Sequence, residues 1–191
     1  MPLGAARFGL SGADLGKLEL IQTLSADNSS QILDFDSILT SDYNVNFITF
    51  SDYQSANDSN KIVLRLKNAS GEISSGYQIA NQRVNVPSDQ VEARSTSSSF
   101  IRLMDNGGNN TNEKANGYIY IYNANDSSKY TFITLQTTYV DLNGNYTTEF
   151  GSAVHPTAET ITGFLFRNLT VTGSVGNINT LDVSLYGIKE S

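Results

Sequence analysis

Residues 130–150 read YTFITLQTTYVDLNGNYTTEF. Two runs, 130–139 and 145–150, flank the pentapeptide DLNGN. In an extended chain successive side chains point to opposite faces, so alternation of apolar and polar residues marks a strand with one face in a core. Asn143-Gly144 is a favoured pair for a turn that needs positive φ, and the stretch therefore reads as a β-hairpin. On its first arm Tyr130, Phe132, Thr134, Gln136 and Thr138 share one face, while Thr131, Ile133, Leu135, Thr137 and Tyr139 share the other.

The same short period recurs on both sides of this hairpin. Just upstream, residues 117–123 read GYIYIYN, with Tyr118, Tyr120 and Tyr122 on one face and Ile119 and Ile121 on the other. Strand-like runs also occupy 17–23, 31–35, 43–50, 61–67, 76–83, 100–103, 161–167 and 181–188. A single helical turn is expected at 36–40 (DSILT), with Asp36 capping the N–H groups that follow. Many short strands with so little helix predict an all-β protein, here a jelly-roll-like antiparallel β-sandwich. No repeat of fixed period points to a solenoid or propeller. Residues 17–191 are expected to form one sandwich domain, with 84–99 and 105–116 as exposed polar loops. Residues 1–16 are small and Gly-rich, with Phe8 and Leu10 among their few large side chains. They read as a flexible N-terminal arm, able to order against a neighbour or to remain a loose end.

Charge and composition exclude several classes of function. The 191 residues include 12 Lys and Arg against 19 Asp and Glu, a net charge of −7. Nucleic-acid binding draws affinity from Lys and Arg on phosphates, and no basic block exists here, so neither a nucleic acid nor an anionic membrane is an expected partner. The absence of cysteine removes disulfides and thiolate metal sites. The opening MPLGAARFGLSG lacks the apolar core of a secretion signal, and no apolar run approaches the roughly 18 residues of a membrane helix. Folding in a cytoplasm is the expectation.

The side chains that carry chemistry are sparse. The only histidine, His155, precedes Pro156, and no Cys or GxSxG serine stands ready as its nucleophile. Asp34 and Asp36 sit at i and i+2, as a glycosidase pair might, but no aromatic cleft pattern surrounds them, and they read as turn-forming carboxylates. Segments 105–113 and 141–145 are rich in oxygen ligands without the EF-hand spacing. Asn-x-Ser/Thr triplets begin at Asn28, Asn57, Asn68, Asn109, Asn125, Asn145 and Asn168, a consequence of abundant Asn, Ser and Thr rather than a signal for glycans. No catalytic residue, metal ligand or cofactor site is expected, and the chain reads as a non-enzyme.

That leaves the tyrosines. Ile133 and Leu135 can join Ile119 and Ile121 in the core, which turns Tyr118, Tyr120 and Tyr122 outward near Thr134 and Gln136. Each ring offers up to roughly 150–250 Å² of contact. Three together form a large patch to leave in water. It reads as a contact for a partner chain or as plain sheet packing, ahead of stacking on sugars. The expected interface residues are Phe8, Leu10, Tyr118, Tyr120 and Tyr122.

Four stretches carry a resemblance to a known family: MPLGAARFGLSGADLGKLELI at the start, GYIYIYNANDSSKYTFITLQTTY at 117–139, PTAETITGFLFR at 156–167 and the closing LDVSLYGIKES. Together they resemble small virion structural proteins of marine phages, especially podoviruses infecting cyanobacteria. The likeness spans nearly the whole chain and brings no active-site motif. It implies a β-sandwich subunit of the virion, assembled in the host cytoplasm. The leading expectation is a capsid decoration (knob or cement-like) subunit, held by its N-terminal arm and one sheet face. The alternative is a tail appendage or fibre module that binds a host receptor or surface glycan. The implied partners are other virion proteins, the major capsid protein or tail proteins, and further copies of the chain as a homo-oligomer.

Overall fold

The computed structural model describes residues 17–86 and 90–189. All regular structure among them is β: β1 (Lys17–Ala26), β2 (Ile32–Phe35), β3 (Val45–Ser55), β4 (Lys61–Asn68), β5 (Gly71–Glu72), β6 (Tyr77–Asn85), β7 (Gln90–Ser98), β8 (Ile101–Arg102), β9 (Ala115–Tyr122), β10 (Thr131–Val140), β11 (Tyr146–His155), β12 (Gly163–Leu169) and β13 (Ile178–Lys189). They form two antiparallel sheets. One has eight strands in the order β1-β13-β3-β9-β10-β11-β6-β7, and the other is β2-β12-β4-β5 with β8 also on β4.

The pairing is that of a jelly roll. The first half of the chain pairs with the second in reverse: β1 with β13, β2 with β12, β3 with β9 and β4 with β8. The antiparallel sandwich read from the alternation is the architecture found, and the winding of this ribbon makes it a jelly roll. The strands β10, β11, β6 and β7 then widen the first sheet well past the second.

Alternate residues of both sheets meet between them. Phe35 stacks on Phe164 with ring centroids 4.7 Å apart, Phe166 meets Phe164 edge-on at 6.1 Å, and Phe50 reaches Phe166 from the opposite sheet at 5.8 Å. Gly117 lies under Phe50 because nothing larger fits: a Cβ there would stand 2.6 Å from the ring. Ile119, Ile121, Ile133 and Leu135 are all buried in this core, as the alternation predicts.

The hairpin at 130–150 is present as β10 and β11. Its turn uses Gly144 alone at positive φ, +78°. The Gly144 N–H donates to the Asp141 carbonyl, and Asp141 Oδ1 accepts the N–H groups of Asn143 and Asn145. A Cβ at Gly144 would meet no neighbour. The substitution Gly144→Ala therefore tests backbone conformation alone, and a loss of about 1 kcal/mol in urea unfolding is expected.

Three sequence expectations differ from the structure. The helical turn at 36–40 does not form. Ser37 takes φ +52°, and the N–H groups of Ile38 and Leu39 both donate to the Thr162 carbonyl, so a tertiary contact replaces the helical one. Within 84–99, read as a loop, residues 90–98 are the edge strand β7, which has no hydrophobic alternation because it is exposed along most of its length. The segment 105–116 is a loop up to β9 but not an exposed one throughout: Gly107 and Gly108 are buried.

Candidate docking face

Because every strand pair in the large sheet is antiparallel and in register, its outward side chains form straight rows. The central row runs Leu20, Tyr186, Phe47, Tyr120, Thr134, Ser152, Ala80 and Arg94. A row on one side includes Leu18, Val45, Tyr122, Phe132 and Val154. The row on the other includes Ser184, Thr49, Tyr118, Gln136, Phe150 and Glu92. In these three rows the only charged side chains are Arg94 and Glu92, and they pair with each other at 3.2 Å.

The expected outward placement of Tyr118, Tyr120 and Tyr122 is what the structure has. Tyr118 Oη donates to Gln136 Oε1 at 2.8 Å, and Tyr122 Oη lies 3.4 Å from Thr134 Oγ1. The rings are not isolated. Tyr120 packs on Phe47 at 4.7 Å and stands 6.0 and 6.1 Å from Tyr118 and Tyr122, and Phe47 continues to Tyr186 at 6.1 Å. Aromatic contacts at these separations add stability beyond area burial. Phe47 and Tyr186 join the ladder through strand pairing alone. Their partners lie far away in the chain, and the one local sign of Phe47 is its alternation with Tyr43 and Val45.

Beside this ridge the surface drops. Thr134, Ser152 and Ala80 floor a shallow, open trough, a cavity of about 670 Å³. Phe132 and Phe150 wall it on either side, 48% and 41% exposed, values high for apolar rings on a folded surface. Leu20, at the far end of the ridge, is 60% exposed.

The opposite outer face, on the smaller sheet, is different in kind. Lys67 Nζ holds both Asp34 and Asp36, at 2.8 and 2.7 Å, and Glu72 is clasped by Arg65 and by Arg167, the latter at 2.7 Å. Lys67 holds the Asp36 carboxyl below the usual carboxylate range. Each charge on this face has a partner, and Asp34 and Asp36 converge on one ammonium instead of facing each other across a cleft. No protein-family model matches this chain, and no curated protein matches it in sequence. Its function is therefore argued from these two unlike faces.

The remaining chemical candidates are tied up in structure. His155 is buried against Tyr77, and its Nε2 lies 2.6 Å from Glu159 Oε1. The other Glu159 oxygen accepts from Asn68. Asn168, which opens one of the seven triplets, is a core residue: it accepts from Tyr53 Oη and donates to Ser55 Oγ and the Asn177 carbonyl. In the loop after β8, Asp58 Oδ1 accepts the Asn109 N–H and Glu113 Oε2 accepts the Asn110 N–H, so both carboxylates serve the backbone. Among the described residues no three His, Cys, Asp or Glu side chains gather as metal ligands would. Phe8 and Leu10 lie outside the described residues.

One ionisable cluster was not foreseen. Where the large sheet outruns the small one, Glu149 on β11 points inward and is wholly buried, with Arg102 Nε at 2.7 Å and Asn81 Nδ2 at 3.3 Å. Arg102 also reaches Asp105, which Lys61 approaches at 3.7 Å. Burial pushes the Glu149 carboxyl up, by more than Arg102 and Asn81 pull it down. The cluster is closed to a substrate and acts as a structural anchor beneath β6 and β11. The only local sign of it was a Glu at an inward position of a strand.

Proposed function

We propose that this protein is a non-enzymatic structural subunit, a component of a phage particle, which docks through the outer face of its eight-stranded sheet onto another protein subunit. The observation that carries the docking reading is the composition of that face: a joined ridge of aromatic rings and, over three rows of eight strands, one mutually paired couple of charges in a chain of net charge −7. Interface cores are rich in Tyr and Phe and poor in charge, whereas a face that stays in water looks like the charged one on the smaller sheet. The assignment to a particle rests on the resemblance of the four quoted stretches to marine phage virion proteins. Within that reading a capsid decoration subunit is favoured, with residues 1–16 as an additional attachment, and a tail appendage is the second form. An acidic, cysteine-free chain is compatible with assembly in a reducing cytoplasm.

The test is incorporation. Phe132→Lys with Phe150→Lys alters two exposed rings and leaves the core intact. Particles assembled with wild-type or variant protein are purified, and the copies per particle are counted by quantitative mass spectrometry. The variant is expected at about a tenth of the wild-type number or less, the consequence of losing about 1.4 kcal/mol or more of contact energy. Equal copy numbers would overturn docking through this face. Wild-type copies in the hundreds per particle correspond to shell decoration, and tens or fewer to a tail or vertex position.

A further inference from the structure

Resting on the docking reading above, we infer that the subunit covering this face is a second copy of the same chain, held face to face about a two-fold axis that runs along the strands between β9 and β10. The central row has an asymmetry that such an axis matches. Its first four positions are large: Leu20, Tyr186, Phe47 and Tyr120. Its last four contain the small floor of the trough, Thr134, Ser152 and Ala80, and end at Arg94.

The sheet has eight strands, and the β9–β10 boundary divides it four and four. Rotation about that line sets β9 over β10, β3 over β11 and β13 over β6. Tyr120 of one copy then faces Thr134 of the other, Phe47 faces Ser152, and Tyr186 faces Ala80. The ridge of each copy enters the trough of its mate, twice over, as an isologous interface requires. The neighbouring row obeys the same rule: Phe150, the exposed wall of the trough, falls opposite Thr49, and Tyr118 opposite Gln136. Face-to-face sheets pack about 10 Å apart, aligned within about 30°, which keeps these central pairs in contact.

Area and charge agree with a stable contact. Eight strands at about 4.8 Å spacing span about 34 Å, and three rows add about 20 Å, so the planar footprint is roughly 700 Å². The relief of ridge and trough raises the accessible area above that figure, toward the roughly 800 Å² per partner of a standard interface. Two chains of net charge −7 repel at a distance, but within the three rows each presents only the Glu92–Arg94 couple, so no like charges are brought together at the contact.

The experiment is light scattering coupled to size-exclusion chromatography over a dilution series, on the isolated full-length chain. The wild-type protein is expected at twice the 20.8 kDa of one chain. Ser152→Phe fills the trough and Phe47→Ser removes the ridge, and each alone is expected to shift the mass to one chain. The double variant exchanges the large and small partners and is expected to return to two. The far-ultraviolet circular dichroism of all four proteins should be the same, because both positions lie on the outer face. A wild-type mass of one chain, or of any number other than two, would overturn the inference, as would a Ser152→Phe protein that stays at two. A protein that is single in solution yet needs Phe132 and Phe150 for incorporation would overturn the dimer and leave the docking face standing. The converse result would do the reverse.

Discussion

Arg102→Met is expected to cost about 3–5 kcal/mol at pH 8, and most of that loss is expected to disappear by pH 5. The cost arises because Glu149 is wholly buried and Arg102 Nε, at 2.7 Å, is its one cationic partner among the described residues. Removing one member of a buried pair leaves an uncompensated charge in the interior. Methionine fills much of the space of the arginine stem, so the effect is electrostatic rather than a cavity. The carboxylate would keep only Asn81 Nδ2, at 3.3 Å.

The pH dependence follows from linkage. The Glu149 carboxyl is raised in the folded wild type by burial, so it binds its proton more tightly folded than unfolded. A group raised in this way contributes stability that is complete below its ordinary value, near pH 4.5, and is lost as the pH climbs through the folded value. Without the guanidinium the carboxyl rises further, and the variant suffers more at high pH. Exposed carboxylates work in the opposite sense. Asp27, held down by hydrogen bonds from Ser29, and Asp126, held down by Ser128 and Lys129, contribute stability above the ordinary carboxylate range that is lost on acidification. These groups are the same in both proteins and cancel in the difference. Urea unfolding of wild type and variant at pH 8 and pH 5 isolates Glu149. A gap that does not change with pH would show that its charge is not what Arg102 compensates.

Phe166→Ala is expected to destabilise the protein by a similar amount, about 3–5 kcal/mol, with no dependence on pH. Phe166 is fully buried on the small sheet and touches both Phe164 on its own strand and Phe50 across the sandwich. The hole would open between two sheets whose strands are fixed by pairing on both sides, so the surroundings have little freedom to close it. For a domain of this size about 1 kcal/mol corresponds to roughly 2–4 °C, and thermal unfolding should shift by roughly 6–20 °C. A loss below about 1.5 kcal/mol would mean that the two sheets collapse onto the gap. Phe132, as large but on the outer face, gives the control: its replacement is expected to change stability little and to change assembly instead.

Several features were legible in the chain alone because they depend on period two. Ile119, Ile121, Ile133 and Leu135 could be assigned to the core, and Tyr118, Tyr120 and Tyr122 to the outside, from alternation within single strands. The Asn143-Gly144 turn could be placed because Gly144 tolerates the positive φ that closes the hairpin. The strand β7 escaped notice because both its faces are largely exposed, which leaves no contrast between them to read. The turn at 36–40 was misread because its N–H groups are satisfied by Thr162, more than a hundred residues away.

Local sequence, then, determined that this is a protein of short pleated strands, which residues of each strand face inward, and that one strand carries a phenolic edge. Only the tertiary structure decided that Leu20, Tyr186, Phe47 and Tyr120 stand in line with Thr134, Ser152, Ala80 and Arg94, and that Arg102 meets Glu149. The physical reason is the range of the forces involved. Side-chain direction is dictated by the backbone of one strand, whereas the order of strands is set by hydrogen bonds and burial between segments far apart in the chain, and it is that order that makes a ridge, a trough and a buried ion pair.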